Sequence, residues 1–281
     1  MAVLSGLEMA TGMPDLHLWL LPAAYTSVGL LVGILIGLTG MGGGSLLTPL
    51  LVTVFGQSPM VSVGTDLAFA AGTKLVVTAS SDFRLRIDWP IVRRLAVGSL
   101  PGALLVILWI RMRPASVVNA VILDVLAVLL ILAAAALLLR QRFRTWGLTL
   151  TTAMLEDVAG YQTAATVATG ALIGMAVALT SVGAGALGTV ALVFLYPLRL
   201  STERLVATDI AQALPLTALA AFGHVALGHT DWSLVLSLLA GSVPGVLVGS
   251  RLAVKIPEVL LRRLLAATLG VSAWRLLAYQ G

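Results

Sequence analysis

The chemistry in this chain is concentrated in a few polar residues set inside apolar runs. Lys74 is the one cation well inside such a run, 62–81. An ammonium at that depth is costly and marks a functional position by default. It can pair with an anionic substrate or carry a proton. A structural pair with Asp66 is the alternative, although eight residues of helix put about 12 Å between the two backbones. Two glycine-rich breaks add to the picture. Thr39–Ser45 reads TGMGGGS and Thr180–Gly185 reads TSVGAG, each in the middle of an apolar segment. Glycine runs end helices, and Ser45 can cap a new one. A helix that starts inside a membrane offers unpaired N–H groups and the positive end of its dipole, which together suit an anion. Thr39, Gly42, Gly43, Gly44 and Ser45 of the first break, Thr180, Ser181, Gly183 and Gly185 of the second, and Lys74 are therefore the candidate substrate-binding residues. Close packing of small residues in a helical hairpin is the competing account of the same glycines.

Four further polar positions recur as pairs. Thr65-Asp66 and Thr208-Asp209 read as the starts of helices, where the dipole favours a carboxylate. Capping competes there with gating or proton coupling. Gln212 and His224 are polar groups within an apolar span and join Thr65, Asp66, Thr208 and Asp209 as gating or proton-relay candidates. No enzyme is expected. The chain has no cysteine, three histidines, no HExxH and no GxSxG, so thiolate chemistry, disulfides and the common nucleophile–base pairs are excluded. No metal or cofactor is expected, and no GK[ST] follows the glycines as a nucleotide loop would require.

The elements that must position these residues are membrane helices. Of 281 residues, 59% are hydrophobic and 10% charged, against about 25% charged in an average soluble domain. Apolar runs of about 20 residues recur along the chain. The net charge of +5 comes from cations in short loops between those runs, which fits membrane topology rather than nucleic acid binding. No basic region precedes the first apolar run, so a cleaved signal peptide is not expected. Residues 1–17 read as a polar lead-in.

The chain contains a repeat. Thr65-Asp66-Leu67 recurs as Thr208-Asp209-Ile210, Ile87-Asp88-Trp89 as Thr230-Asp231-Trp232, and Gly98-Ser-Leu-Pro-Gly102 as Gly241-Ser-Val-Pro-Gly245, all at an offset of 143 residues. TGMGGGSL at 39–46 matches TSVGAGAL at 180–187. The sequence predicts a first repeat over 18–139, a polar linker over 140–165 and a second repeat over 166–281. Each repeat has an interrupted apolar segment (18–55; 166–198) and three more (62–81, 90–110, 116–139; 206–227, 232–252, 259–278). If each interrupted segment enters and returns as a hairpin, thirteen of the sixteen cations outside the spans share one side; a single crossing divides them eight to eight. The positive-inside rule selects the hairpin. The expected fold is thus an all-α polytopic membrane protein of two inverted repeats, each a Gly-interrupted helical hairpin plus three transmembrane helices. Such repeats are the plan of many secondary transporters. Loops 82–94, 140–165, 199–204 and 251–263 are expected on the cytoplasmic side of the cell membrane.

Gly37-Leu-Thr-Gly-Met-Gly-Gly-Gly-Ser-Leu-Leu-Thr-Pro-Leu50, Val63-Gly-Thr-Asp-Leu67, Thr73-Lys74, Asp88-Trp89 and Gly98-Ser-Leu-Pro-Gly-Ala103, with their second-half echoes, resemble the TauE/SafE sulfite exporter family over about residues 22–277. The resemblance implies a permease for sulfite, sulfoacetate or another sulfonate. One position departs: family members carry a His near Ser81, where this chain has Ser81-Asp82. The expected function is a secondary transporter working by alternating access, with an anion channel or uniporter for small oxyanions as the alternative. The expected partners are a small anionic substrate and the lipid bilayer, with a second copy of the chain as a candidate and no nucleic acid.

Overall fold

The computed structural model describes residues 16–39, 44–78, 85–153, 158–253 and 257–280, and among them ten helices and no strand. They are α1 Leu16–Thr39, α2 Gly44–Thr53, α3 Pro59–Thr78, α4 Trp89–Arg111, α5 Ala115–Ala153, α6 Val158–Thr180, α7 Ala186–Leu195, α8 Thr202–Ala226, α9 Trp232–Ala253 and α10 Glu258–Gln280. Six of them, α3, α4, α5, α6, α8 and α9, are long and apolar enough to cross a membrane. The protein is a multi-pass membrane protein. The segment 259–278, expected as a span, lies in α10.

Both interrupted segments break at their glycines. α1 ends at Thr39 and α2 begins at Gly44; α6 ends at Thr180 and α7 begins at Ala186. The two arms of each hairpin are unequal. α2 and α7 have 10 residues each, about 15 Å, half the thickness of a bilayer core. At the second break Ser181 sits at φ 61 and Gly183 at φ 126, the latter a conformation only glycine adopts without strain.

Two expectations about helix ends are corrected. Asp66 and Asp209 do not begin their helices. α3 starts at Pro59 and α8 at Thr202, so each aspartate lies seven residues inside, on the second turn. The polar residues ahead of them read as loop but supply the helix start instead: Ser201 accepts from the Arg204 N–H as the N-cap of α8. The helix of the span 116–139 does not end at Leu139. α5 runs on to Ala153 and α6 begins at Val158. No proline and no glycine before Gly147 interrupts α5, and Arg, Gln and Leu are good helix formers.

The packing comes in exchanged pairs. α1 lies along α9 and α6 along α4; α3 packs on α9 and α8 on α4; α2 on α10 and α7 on α5; α3 meets α8 and α5 meets α10. Each pairing recurs with the halves interchanged. The GS[LV]PG motifs are the contact points of two of these pairs. A Cβ on Gly98 would strike the Val167 carbonyl and one on Gly174 the Ser99 carbonyl; across the other pair Gly241 meets Thr26 and Gly33 meets Ser242. Small residues here let backbones approach to contact, as in membrane helix pairs generally. A core of Val63, Leu67, Ile122, Val177, Ala213 and Leu216 fills the space between α3, α5, α6 and α8.

Candidate substrate site between the helix breaks

The short helices α2 and α7 each pack beside a buried aspartate of a neighbouring long helix. Asp66 of α3, fully buried, accepts at Oδ2 from both the hydroxyl and the backbone N–H of Thr48 in α2, the latter at 3.2 Å. Its other oxygen, Oδ1, has no hydrogen-bond partner. Asp209 of α8, 2% exposed, lies against Gly188, the third residue of α7: a Cβ on that glycine would run into Oδ1. Asp209 Oδ2 is likewise without a partner. Each short helix thus lies against a buried carboxylate of the protein itself.

Lys74 lies on the same helix as Asp66, is 4% exposed, and is near both aspartates. Among the described residues it closes no ion pair within 4.0 Å. Its neighbour Thr73 bonds its own helix at Phe69 and Ala70. The repeat counterpart of Lys74 is Thr217, whose hydroxyl likewise returns to its own helix at Ala213. The site thus has one cation and two carboxylates, all buried, with unequal halves.

The second break contributes hydroxyls. Thr180 donates to the Ala176 carbonyl at 2.8 Å and accepts from the Val182 N–H at 3.2 Å, holding the end of α6. Ser181 Oγ comes near the Asp66 carboxylate but closes no hydrogen bond. The break of the second half thereby faces the aspartate of the first. The Gly183 carbonyl accepts from the Gly188 N–H, and the Gly185 carbonyl from Thr189, so both glycines hold the start of α7. Of the first break, Gly42 and Gly43 lie outside the described residues, and for Thr39, Gly44 and Ser45 only the helical backbone is described.

The other candidates divide. Thr65 Oγ1 accepts from the Asp231 N–H at 3.1 Å, and Thr208 Oγ1 from the Asp88 N–H at 3.0 Å. Each hydroxyl, one residue before a site aspartate, caps the start of a helix in the opposite half. Gln212 donates to Ser99 at 2.9 Å, away from the breaks. His224 is fully buried; Nε2 is 2.9 Å from the Ala178 carbonyl, near the second break, and Nδ1 is unpartnered. Its ring meets that of His229 at 5.7 Å. Burial pushes His229, in the turn between α8 and α9, below its ordinary pKa. Position 81, opposite His224 in the repeat, lies outside the described residues.

Thr48 and Gly188 were not among the candidates. Thr48 lies within the first glycine motif's continuation, SLLTPL, and its partner across 18 residues cannot be read from spacing alone. Also unforeseen is an ion cluster at the arginine-rich end. Arg199 donates to both oxygens of Asp88 at 2.8 Å each, and Arg204 to Oδ2 at 3.3 Å. Asp88 is 3% exposed. These hydrogen bonds hold the Arg199 guanidinium above its ordinary pKa. Arg86 pairs with Glu203 at 3.0 Å beside it. The repeat counterpart Asp231 closes no ion pair among the described residues; its Oδ1 caps its own helix at the Leu234 N–H.

The family model described as sulfite exporter TauE/SafE matches residues 25–276. The chain is similar to the probable membrane transporter protein YjnA of Bacillus subtilis (strain 168), 36% identical over 258 residues, covering 89% of this chain and 97% of the relative. It is also similar to the probable membrane transporter protein YdhB of the same organism, 26% identical over 255 residues, covering 88% and 96%. No solved structure matches the chain.

Proposed function

This chain belongs to the TauE/SafE sulfite exporter family of membrane transporters, and from that premise we propose that it is a secondary transporter moving sulfite or a related organosulfur oxyanion, such as sulfoacetate, across the cytoplasmic membrane. The observation that carries this reading is the pair of buried carboxylates, Asp66 at Thr48 and Asp209 at Gly188, with the buried Lys74 near both. A compact oxyanion wants a donor for each oxygen. The helix starts, Thr48, Ser181 and Lys74 supply them. Of these donors, Thr48 is held by the Asp66 carboxylate. An incoming anion can take the place of the carboxylates only if they are neutralised or move aside, because three negative groups around one lysine repel. A proton on each carboxyl removes that repulsion and adds an O–H donor. This links substrate binding to proton uptake.

Alternating access follows from the same parts. The exchanged helix pairings and the five helices of each half, an odd number, support two inverted repeats that rock against each other. Thr65 and Thr208 tie each site aspartate's turn to a helix start of the opposite half, so a shift of Asp66 or Asp209 reaches the partner repeat through one residue. The arginine-rich end, with Arg86, Arg199 and Arg204, faces the cytoplasm on the positive-inside rule.

Uptake into proteoliposomes tests the reading, with sulfite, sulfoacetate, taurine, thiosulfate and sulfate as a panel, with and without a pH gradient. Saturable uptake of at least one sulfur oxyanion, enhanced by the gradient, is expected. A large conductance that does not saturate points to a channel instead. A panel in which no sulfur oxyanion moves overturns the substrate class.

A further inference from the structure

Among the described residues, seven buried side-chain polar atoms have no hydrogen-bond partner, and six of them fall along one track. It starts in the turn between α8 and α9 with Thr230 Oγ1 and His229 Nδ1. It passes His224 Nδ1 near the end of α8 and Ser62 Oγ on α3, and it ends at Asp66 Oδ1, with Ser181 Oγ beside it. Packing keeps the track continuous. The His224 and His229 rings are 5.7 Å apart. Gly64 of α3 lies against both residues: a Cβ there would strike the His229 carbonyl and stand 3.1 Å from His224 Cβ. Gly64 is two residues before Asp66, about 3 Å of helix rise. Ser62 and Asp66 are four residues apart and share a face of α3. Thr65 holds the Asp231 N–H and so fixes the turn against that helix. His224, Ser62 and Asp66 are fully buried, whereas His229 is partly exposed.

Buried polar atoms find their partners in the protein or in ordered water, and a run of several such atoms suits water. A carbonyl only accepts, so the Nε2 of His224 that meets Ala178 carries the hydrogen. Nδ1 of the neutral ring is then a bare lone pair, ready to accept a proton. The charge that acts on His224 is that of His229. Of the elements packed on α8, α3 brings Asp66 and Lys74, α4 has Arg111 at this end, and α6 and α7 carry no charged residue; Asp231 lies in the turn. The repeat supplies a comparison. At the places of Ser62 and Thr230 the other half has Leu205 and Ile87, both buried, and at the place of His229 it has Arg86, paired with Glu203.

We propose that these atoms line a water path that brings protons to Asp66 from the end opposite the arginines, with His224 Nδ1 as the acceptor along it. A proton arriving at Nδ1 makes the imidazolium. It leaves from the same nitrogen, through water at Ser62, for Asp66 Oδ1, which restores the neutral ring and leaves a neutral carboxyl. The proton step rests on the coupling proposed above, whereas the water path stands without it.

Two experiments on the full chain separate the two. The chain has no cysteine, so Ser62→Cys carries a single thiol. Silver ion, small enough to travel where water does, is applied to right-side-out or inside-out vesicles in chloride-free buffer, and free thiol is then measured by alkylation in denaturant. Silver is expected to protect Ser62→Cys from the face at which Arg113→Cys reacts with an impermeant maleimide, and not from the other face. Val63→Cys, equally buried but in the core between helices, is expected to stay unprotected. Ser62→Cys left unprotected, or protected from the arginine-rich face, or Val63→Cys protected as well, overturns the path. The proton step is read as the ratio of sulfite uptake with and without a pH gradient. His224→Gln keeps a donor for Ala178 and is expected to lose the stimulation, while sulfite still raises its unfolding temperature. Ser62→Ala, which touches no histidine, is expected to lose the stimulation too, so misfolding of one variant leaves the step testable. Full stimulation in both variants overturns it, and so does wild-type uptake that no gradient stimulates. A wild type that moves no sulfite overturns the transport reading instead, and the silver result alone then decides the path.

Discussion

Replacing Lys74 by methionine removes the only buried cation of the site while keeping the side chain's length. Two effects are expected, and they can be separated. The first is on the protein itself. The lysine stem tilts toward the start of its helix, so the ammonium reaches back along the 12 Å of rise toward Asp66 to a distance of roughly 7 Å. At an effective dielectric constant of 20 that pair is worth about 2 kcal/mol, with a smaller contribution from Asp209. Lys74→Met is therefore expected to lower stability by about that amount. The second effect is on the substrate. A charge-assisted hydrogen bond contributes about 1.5–3 kcal/mol, so kcat/KM for the transported oxyanion is expected to fall by roughly 10- to 150-fold. Asp209→Asn in the Lys74→Met background separates the two. It removes one uncompensated carboxylate but leaves an amide donor at the helix start. If Lys74 binds substrate, the double variant regains stability but not the substrate-induced rise in unfolding temperature. Regaining both would make Lys74 a mere counter-charge. Uptake by Lys74→Met within about threefold of wild type, less than one charge-assisted hydrogen bond is worth, would refute the reasoning outright.

Asp88→Asn removes two charge-assisted hydrogen bonds to Arg199 and the pairing with Arg204. Both arginine side chains are nearly half exposed and can rehydrate, so a cost of about 2 kcal/mol in a denaturation series is expected rather than the 3–5 of a fully buried pair. Asp231→Asn, where asparagine keeps the cap to Leu234, should cost no more than a few tenths. Gly98→Ala forces the α4–α6 backbones apart at Val167 and is expected to cost about 1–3 kcal/mol; Gly270→Ala, which meets nothing within 4 Å, should be neutral or stabilising by up to about 1 kcal/mol. His229 is the remaining test. Its folded pKa lies below the unfolded value, so the native state prefers it neutral. That contribution is fully present above the unfolded pKa, about 6.5, and is lost as pH falls through and below it. The drop in unfolding temperature between pH 7.5 and pH 5 should accordingly be smaller in His229→Gln than in wild type; an equal drop contradicts the shift.

Local chemistry decided a large part of this molecule. Apolar runs with few charges can only be membrane helices, since lipid satisfies no backbone group. Glycine clusters end helices wherever they occur, so the breaks after Thr39 and Thr180 were readable at once. The fixed offset of 143 residues foretold that counterparts would occupy equivalent places, and the helix pairings do exchange between halves. Lys74, alone among apolar neighbours, was singled out by its cost, and it is buried in the structure.

The tertiary structure decided which groups meet. Asp66 and Asp209 read as helix caps in sequence, yet they lie within α3 and α8 and reach other helices, α2 at Thr48 and α7 at Gly188. Thr48 was invisible because its partner is set by how α2 packs on α3. The hydroxyls of Thr65 and Thr208, 166 and 120 residues from the amides they cap, depend on two halves docking. The same holds for the asymmetry of the two ends: Asp88 and Asp231 occupy equivalent places in the repeat, but only Asp88 finds Arg199 and Arg204. Sequence patterns report what one segment demands of its surroundings; distance between segments is a property of packing, and the chemistry of this site is made of such distances.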